Sequence, residues 1–278
     1  MTEIINKAIE WTKEPYDQKT REEIQKLIDT NNEKELTDRF YKDLEFGTGG
    51  LRGIMGMGSN RINEYTIGMA TQGLAKYLLK YTKNPSVVIA HDSRINSRNF
   101  AKHVACIMAA NKIKTYIFDT LKPTPLLSYA VRCLKTTAGI NITASHNPKE
   151  YNGYKVYFED GCQVLPPHDA GIIQEVRTIK SPSEVNIIDF DEGKTRQLIL
   201  DVPSDVEKTF IETIQSLSII PETIKNKGKA LKIVYTPIHG AGNALVPQIL
   251  DELGFKNVIL VKEQQKPDGN FPTVDSPN

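Results

Sequence analysis

The chemistry in this sequence concentrates in Thr143-Ala144-Ser145-His146-Asn147-Pro148, where an apolar, β-prone run ends in a hydroxyl, an imidazole, an amide and a proline. Residues 137–143 read as a buried strand of a parallel sheet, continuous rather than alternating. Asn147-Pro148 then forces a turn, because proline lacks an N–H and excludes its predecessor from helical geometry. Ser145 is therefore expected on a short, stiff loop at the carboxyl end of a central strand, where open α/β sheets place their chemistry. A serine there is a candidate nucleophile or phosphate carrier. His146 beside it can donate a hydrogen bond or shuttle a proton. Lys155 follows ten residues after the serine, on a strand returning from the loop. An ammonium partly desolvated by a sheet has a lowered pKa and works as acid and base. Upstream, Arg52 sits among Gly47, Gly49, Gly50 and Gly53. Glycines let backbone N–H groups approach an anion, and arginine grips phosphate with a bidentate fork.

Blander readings stand beside these. Ser145 could be a turn hydroxyl, His146 a solvated loop residue, and Lys155 a surface-strand lysine. A hydrolase pair of Ser145 and His146 is disfavoured, since adjacent residues on one loop rarely face each other and no Gly-x-Ser-x-Gly elbow is present. His239-Gly240-Ala241-Gly242-Asn243 follows a strand and opens a helix, but lacks the full dinucleotide fingerprint and reads as a tight turn. Asp92 and Arg94 read as a pair that braces the loop.

The elements that must position these groups follow from periodicity. Residues 3–12, 18–30 and 33–43 read as charged amphipathic helices, with Asn31-Asn32 as a cap signal before the third. After a loop region over 47–58, Asn63 caps a helix to about residue 82, its apolar positions recurring at three- and four-residue steps. Strands at 86–90, 115–118 and 137–143 alternate with helices at 97–111 and 123–134. That order implies an α/β fold with a mixed, largely parallel sheet and helices on both faces. Residues 154–158 and 162–165 read as a hairpin about Asp160-Gly161, followed by a helix over 166–179. The polar stretch 181–194 is the expected domain boundary. A helix near 203–217 then leads to a second βαβ unit: strand 231–235, helix 243–253 and strand 257–261. The expected organisation is a helical arm (1–45), a first domain (46–190) and an incomplete second α/β domain (200–278). The open strand edge of that last domain invites self-association, and the tail after about residue 262 is expected to be disordered or engaged in a self-contact.

Composition narrows the function classes. Hydrophobic content of 39% with 25% charged residues describes a globular chain able to bury a core. A net charge of +1 gives no argument for nucleic acid or an anionic membrane. No run reaches the ~18 apolar residues of a membrane span, and no signal peptide is visible, so a cytoplasmic location is expected. Three widely spaced cysteines make neither a disulfide framework nor a zinc site. Cys106 and Cys133 read as core residues, and Cys162 lies beside a turn.

Thr143-Ala144-Ser145-His146-Asn147-Pro148 matches at every position the phosphoserine loop of the α-D-phosphohexomutases, the family of phosphoglucomutases and phosphomannomutases. Gly47-Thr48-Gly49-Gly50-Leu51-Arg52-Gly53 resembles that family's glycine-arginine loop, and Asn152-Gly153-Tyr154-Lys155 the segment supplying its catalytic lysine. Ala90-His91-Asp92-Ser93-Arg94 and Pro267-Asp268-Gly269-Asn270-Phe271-Pro272 resemble two further family segments, in the family's order. Glu45-Phe46 ahead of Gly47 is most similar to the phosphoglucomutase/phosphopentomutase branch. The resemblance implies the family's domain I fold followed by part of its domain II. It implies an intramolecular phosphotransferase, an isomerase that moves phosphate between C1 and C6 (or C5) of a sugar phosphate through a phosphoserine and a bisphosphorylated sugar. Ser145, His146 and Lys155 would be catalytic, and Arg52, Thr48 and Lys155 would bind substrate. The phosphate on Ser145 would be one ligand of Mg²⁺, and a glucose 1,6-bisphosphate-type activator would prime the site. Relatives carry a later Asp-x-Asp-x-Asp-Arg loop for the metal. Here Asp189-Phe190-Asp191 reads instead as a solvated linker, so this chain alone is expected to be inactive and to bind Mg²⁺ weakly. The competing expectation is a short, non-catalytic protein that binds a sugar phosphate or a partner.

Overall fold

A computed structural model describes residues 1–47 and 49–277. Three helices open the chain: α1 (Thr2–Glu10), α2 (Gln18–Asp29) and α3 (Glu33–Phe40). Asp17 and Asn32 cap the second and third, each accepting a backbone N–H with its side-chain oxygen. Their apolar faces bury Ala8, Trp11, Ile24, Leu36 and Phe40 in a small core of their own.

The main body alternates strand and helix: β1 (Gly50–Ile54), α4 (Glu64–Tyr81), β2 (Ser86–His91), α5 (Ser97–Ala110), β3 (Lys114–Ile117), α6 (Thr124–Leu134), β4 (Ala138–Ile142) and β5 (Tyr151–Phe158). Next come α7 (His168–Val176), α8 (Phe190–Thr195) and β6 (Ile199–Asp201). The strands form one six-stranded sheet in the order β1-β5-β4-β2-β3-β6. Four of them, β4, β2, β3 and β6, run parallel, while β5 and β1 are antiparallel to their neighbours. One face, with Val87, Ile89, Ile140, Ile142, Tyr154 and Val156, packs on α4 and α5. The other, with Val88 and Ala90, packs on α6 and on α9 (Ser204–Ser216). Strands buried on both faces are mainly apolar on both, which is why β2 and β4 show no regular alternation.

A smaller unit follows: α10 (Pro221–Lys227), β7 (Lys232–Tyr235), α11 (Leu245–Leu253), β8 (Asn257–Leu260) and α12 (Lys262–Gln265), with β7 and β8 parallel.

Several expectations are corrected. The region 47–58 is not all loop, since residues 50–54 pair with β5. The expected hairpin keeps its turn, Gly161 N donating to Phe158 O, but residues 162–165 contribute only a bridge from Gln163 to Tyr157. The cause is that β1 already occupies that edge of β5 as far as Lys155. The polar stretch read as a boundary holds α8, and the first sheet reaches Asp201 through β6, beyond residue 190. Asp189-Phe190-Asp191 is not a free linker, because the Asp189 carboxylate caps α8 by accepting the N–H groups of Asp191 and Glu192. Cys106 is buried as expected, but Cys133 is exposed. It lies off the stripe Leu126, Leu127, Ala130, Val131 that α6 turns toward the sheet.

Candidate active site

Ser145 sits three residues beyond the end of β4, exposed to solvent, with φ +57°. A serine in the left-handed region needs its surroundings to hold it there. They do so through a network around Asp92 and Arg94. Thr143 Oγ1 donates to Asp92 Oδ2 and accepts the Ser145 N–H at 3.0 Å. Asp92 Oδ1 accepts from Arg94 N at 2.9 Å and Ser97 Oγ at 2.8 Å. The fully buried Arg94 side chain donates to four carbonyls, three in the loop and one at the start of β5: Pro148 at 2.8 Å, Ser145 at 2.9 Å, Asn147 at 2.5 Å and Tyr151 at 3.0 Å. One guanidinium thus fixes the whole turn. Its burial lowers its pKa, with Asp92 opposing the shift. The bracing role read for this pair is the one the geometry gives it.

Lys155 lies on β5 directly opposite Asn141, one rung before the end of β4. Register decides which groups it joins. Arg52 stands opposite Gly153, so Arg52, Gly153, Lys155 and Asn141 share one face of the sheet. Leu51, Tyr154 and Ile142 point into the core on the other face. Lys155 is half-buried, and Arg52 is exposed. Burial, and after it the nearby Arg52 guanidinium, pushes the Lys155 ammonium below its ordinary value, with Asp92 opposing. His146 is exposed, its Nδ1 lying 3.3 Å from Ser145 Oγ.

The glycine loop is tied to the same strand. Gly47 and Gly50 exchange backbone hydrogen bonds, and Val156 N donates to Gly49 O at 3.0 Å. Gly50 has φ +138°, and a Cβ on it would fall 1.8 Å from Tyr154 O, so only glycine fits. Thr48, expected to bind substrate, lies outside the described residues.

Sequence reasoning singled out Ser145, His146, Lys155 and Arg52 but missed Thr143 and Asn152 as supports. Asn152, fully buried, donates to Ile95 O and Ser97 Oγ and accepts from Gly153 N. A buried asparagine beside a glycine in a strand was the available signal.

Mg²⁺ does not fit the donors present. Among the described residues no three His, Cys, Asp or Glu gather where they could hold a metal ion. Asp92, the carboxylate of the loop's brace, already spends its oxygens on Thr143, Arg94 and Ser97. Among the same residues no helix is long and apolar enough to cross a membrane.

A largely parallel sheet clothed by helices, with a braced serine on the loop after a central strand, defines an α/β/α protein. Residues 43–183 match the family model for phosphoglucomutase/phosphomannomutase alpha/beta/alpha domain I, and residues 208–278 match that for domain II. The chain belongs to the phosphoglucomutase/phosphomannomutase family. It is 42% identical over 240 residues to a phosphoglucomutase of Staphylococcus haemolyticus, covering 86% of this chain and 42% of that protein. It is 38% identical over 279 residues to a Schizosaccharomyces pombe protein named "Probable phosphoribomutase", covering 97% of this chain and 46% of the other. The chain thus spans somewhat under half the length of these curated relatives. A crystal structure of the Paramecium phosphoglucomutase parafusin, in its open form, superposes with a TM-score of 0.64 at 20% identity, over 84% of this chain and 45% of that one. That last likeness concerns the fold.

Proposed function

We propose that Ser145 is the phosphoryl carrier of a phosphoglucomutase- or phosphopentomutase-type reaction on sugar phosphates. The observation carrying this reading is the exposed Ser145 hydroxyl, held at positive φ by the Asp92–Arg94 network at a strand's carboxyl end. In the forward half-reaction a sugar hydroxyl oxygen forms a bond to the phosphorus on Ser145 as the bond to Ser145 Oγ breaks. The hydroxyl proton passes to Lys155 Nζ, whose lowered pKa leaves more of the unprotonated amine to receive it. Ser145 Oγ regains a proton through His146, whose Nδ1 lies beside it. Arg52, exposed on the face of Lys155, receives the phosphate of the incoming sugar. Thr48 in the glycine loop joins it in this proposal.

Where Mg²⁺ is bound, it supplies charge neutralisation of the transferring group. These residues offer it one ligand, the phosphate on Ser145, so we propose that the 278 residues alone bind Mg²⁺ weakly and complete no significant mutase cycle, the single transfer of phosphate between a bisphosphate and Ser145 being the step they still perform slowly. A bisphosphorylated sugar of the glucose 1,6-bisphosphate kind primes the serine, and a cytoplasmic location suits such a substrate. Relatives named for glucose and for ribose phosphates leave both substrate classes within the proposal. Phosphopeptide mapping after incubation with glucose 1,6-bisphosphate tests the carrier role. Phosphate on Ser145, lost in Ser145→Ala, is expected; phosphate reproducibly elsewhere would end the proposal.

A further inference from the structure

The segment after α12 does not trail away; it crosses back to the serine loop. Gly269 lies against the backbone of residues 93–95, so closely that a Cβ would fall 2.5 Å from Ile95 N and 2.8 Å from Ser93 O. Phe271 is buried, with its ring centroid 5.2 Å from Arg94 Cζ. Ser276 Oγ donates to His146 O at 2.8 Å. The other end of the segment is anchored in the smaller unit by His239, which is 2% exposed. Its Nδ1–H donates to Lys266 O at 2.9 Å, since a carbonyl only accepts, and its Nε2 lies 2.9 Å from Thr273 Oγ1. Asp268 N donates to His239 O, and Phe271 N to Asp268 O.

We propose that residues 267–276 are a strap that positions the Ser145 loop, with Phe271 acting through Arg94. The physics lies in the shape of the guanidinium. Its Nη1 and Nη2 groups lie in one plane and donate to the four carbonyls, while Nε lies 3.4 Å from Asp92 Oδ2. Arg94 Cζ lies over the Phe271 ring, so the aromatic face closes that side of the buried cation against water. An aromatic face attracts the cation and keeps the surroundings dry, which strengthens the hydrogen bonds made at its edge. Ser145, Ile238 and Phe271, all non-glycine residues at positive φ, line one cavity of about 330 Å³. Backbone of this kind persists where packing over-determines it, and here serine loop, turn and strap determine one another. The strap makes the geometry of the carrier loop depend on how the smaller unit is seated. Its consequence for phosphoryl transfer rests on the carrier role of Ser145; its structural claim does not.

Amide hydrogen exchange and Ser145 phosphorylation by glucose 1,6-bisphosphate, both measured on the 278-residue chain, separate the two. Phe271→Ala and Gly269→Ala are each expected to speed exchange in residues 143–152 about tenfold, the size of one shielded cation–π contact. Exchange in α4 and β2 is expected to hold. Phe271→Tyr, which keeps an aromatic face over Arg94, is expected to restore loop protection. The limiting phosphorylation rate should fall about as much as loop protection, with the half-saturating bisphosphate concentration unchanged. Unchanged loop exchange in both variants, or a rise spread evenly over the first unit, overturns the strap. A loosened loop with an unchanged limiting rate overturns the positioning role. If wild-type Ser145 takes no phosphate, the carrier reading fails while the exchange data still decide the strap.

Discussion

In β4 all five residues are buried, whereas β7 and β8 alternate exposed and half-buried residues along their length. The first pattern belongs to a strand paired on both edges and covered on both faces. The second belongs to a two-stranded sheet with one face clothed by α11 and the other showing Val234 and Ile259. Every group proposed to handle phosphate is carried by the first sheet or by a loop tied to it. The smaller unit contributes a strap. Chemistry that tolerates little displacement sits where the backbone has least freedom, and the part that can shift acts on it from outside.

The largest expected effect tests whether the first sheet holds a reacting group or only a well-packed one. Lys155→Met should slow phosphoryl transfer to and from Ser145 by roughly 10²–10⁴, as for a lost acid–base group. The same change should not destabilise the fold, and the sign follows from linkage. Burial and Arg52 lower the Lys155 pKa in the folded chain, so the unfolded chain binds that proton more tightly. Stability therefore rises with pH between the lowered value and the ordinary 10.5, and below that window the penalty is fully present. Lys155→Met removes the penalty, so its stability relative to wild type should be highest at neutral pH and decline as pH climbs toward 10.5. Denaturant titrations across that range check it. A lowered melting temperature with an unchanged transfer rate would make Lys155 a structural residue.

A second, smaller effect contrasts the sheets directly. Ile140→Ala, at a fully buried position of β4, should cost about 2–5 kcal/mol through lost transfer energy and the cavity left behind. Val234→Ala, 67% exposed in β7, should stay within about 0.5 kcal/mol. Urea midpoints at constant slope measure both. Equal costs would mean that the exposed face of the smaller sheet is covered in solution, the condition under which its open edge pairs with another chain.

Much of this architecture was legible because its causes are local. Continuous apolar runs marked β2 and β4, Asn63 marked the start of α4, and Asn147-Pro148 marked the turn after Ser145. What escaped depends on distant partners. Residues 50–54 carry three glycines' worth of loop signal with their flanks, and become a strand because β5 offers an open edge. Residues 199–201 are too short to announce themselves, and form β6 because β3 has an unpaired side. Within the site, Ser145, His146, Lys155 and Arg52 could be named from residue type and spacing. That Arg94 would bind four carbonyls could not, since its acceptors are backbone atoms 51 to 57 residues away. The same limit hid Phe271, which reaches Arg94 only through the fold.

The smallest effect is a preference among cleavage sites, and it bears on where the chain is weakest. The polar stretch 181–194 is the boundary that composition marks, and an exposed boundary is where a protease cuts first. Those residues are instead engaged. Ser181 and Glu184 form a capping box, Asp189 caps α8, and Ile199 pairs with Thr115. Cleavage needs several consecutive residues released into an extended conformation, so each of these contacts must open first. Residues 217–220 are held far less: Leu217 is 72% exposed, Ile219 93% and Ile220 61%. They join α9, which packs on the first unit through Val206, Phe210 and Ile211, to α10, which buries no residue. Limited digestion with elastase, followed by mass spectrometry of the earliest fragments, should therefore find the first cut within residues 217–229. A first cut within 181–200 would mean that α8 and β6 open more readily than their caps and pairing imply, and would move the soft joint between the two units back to the boundary that composition marks.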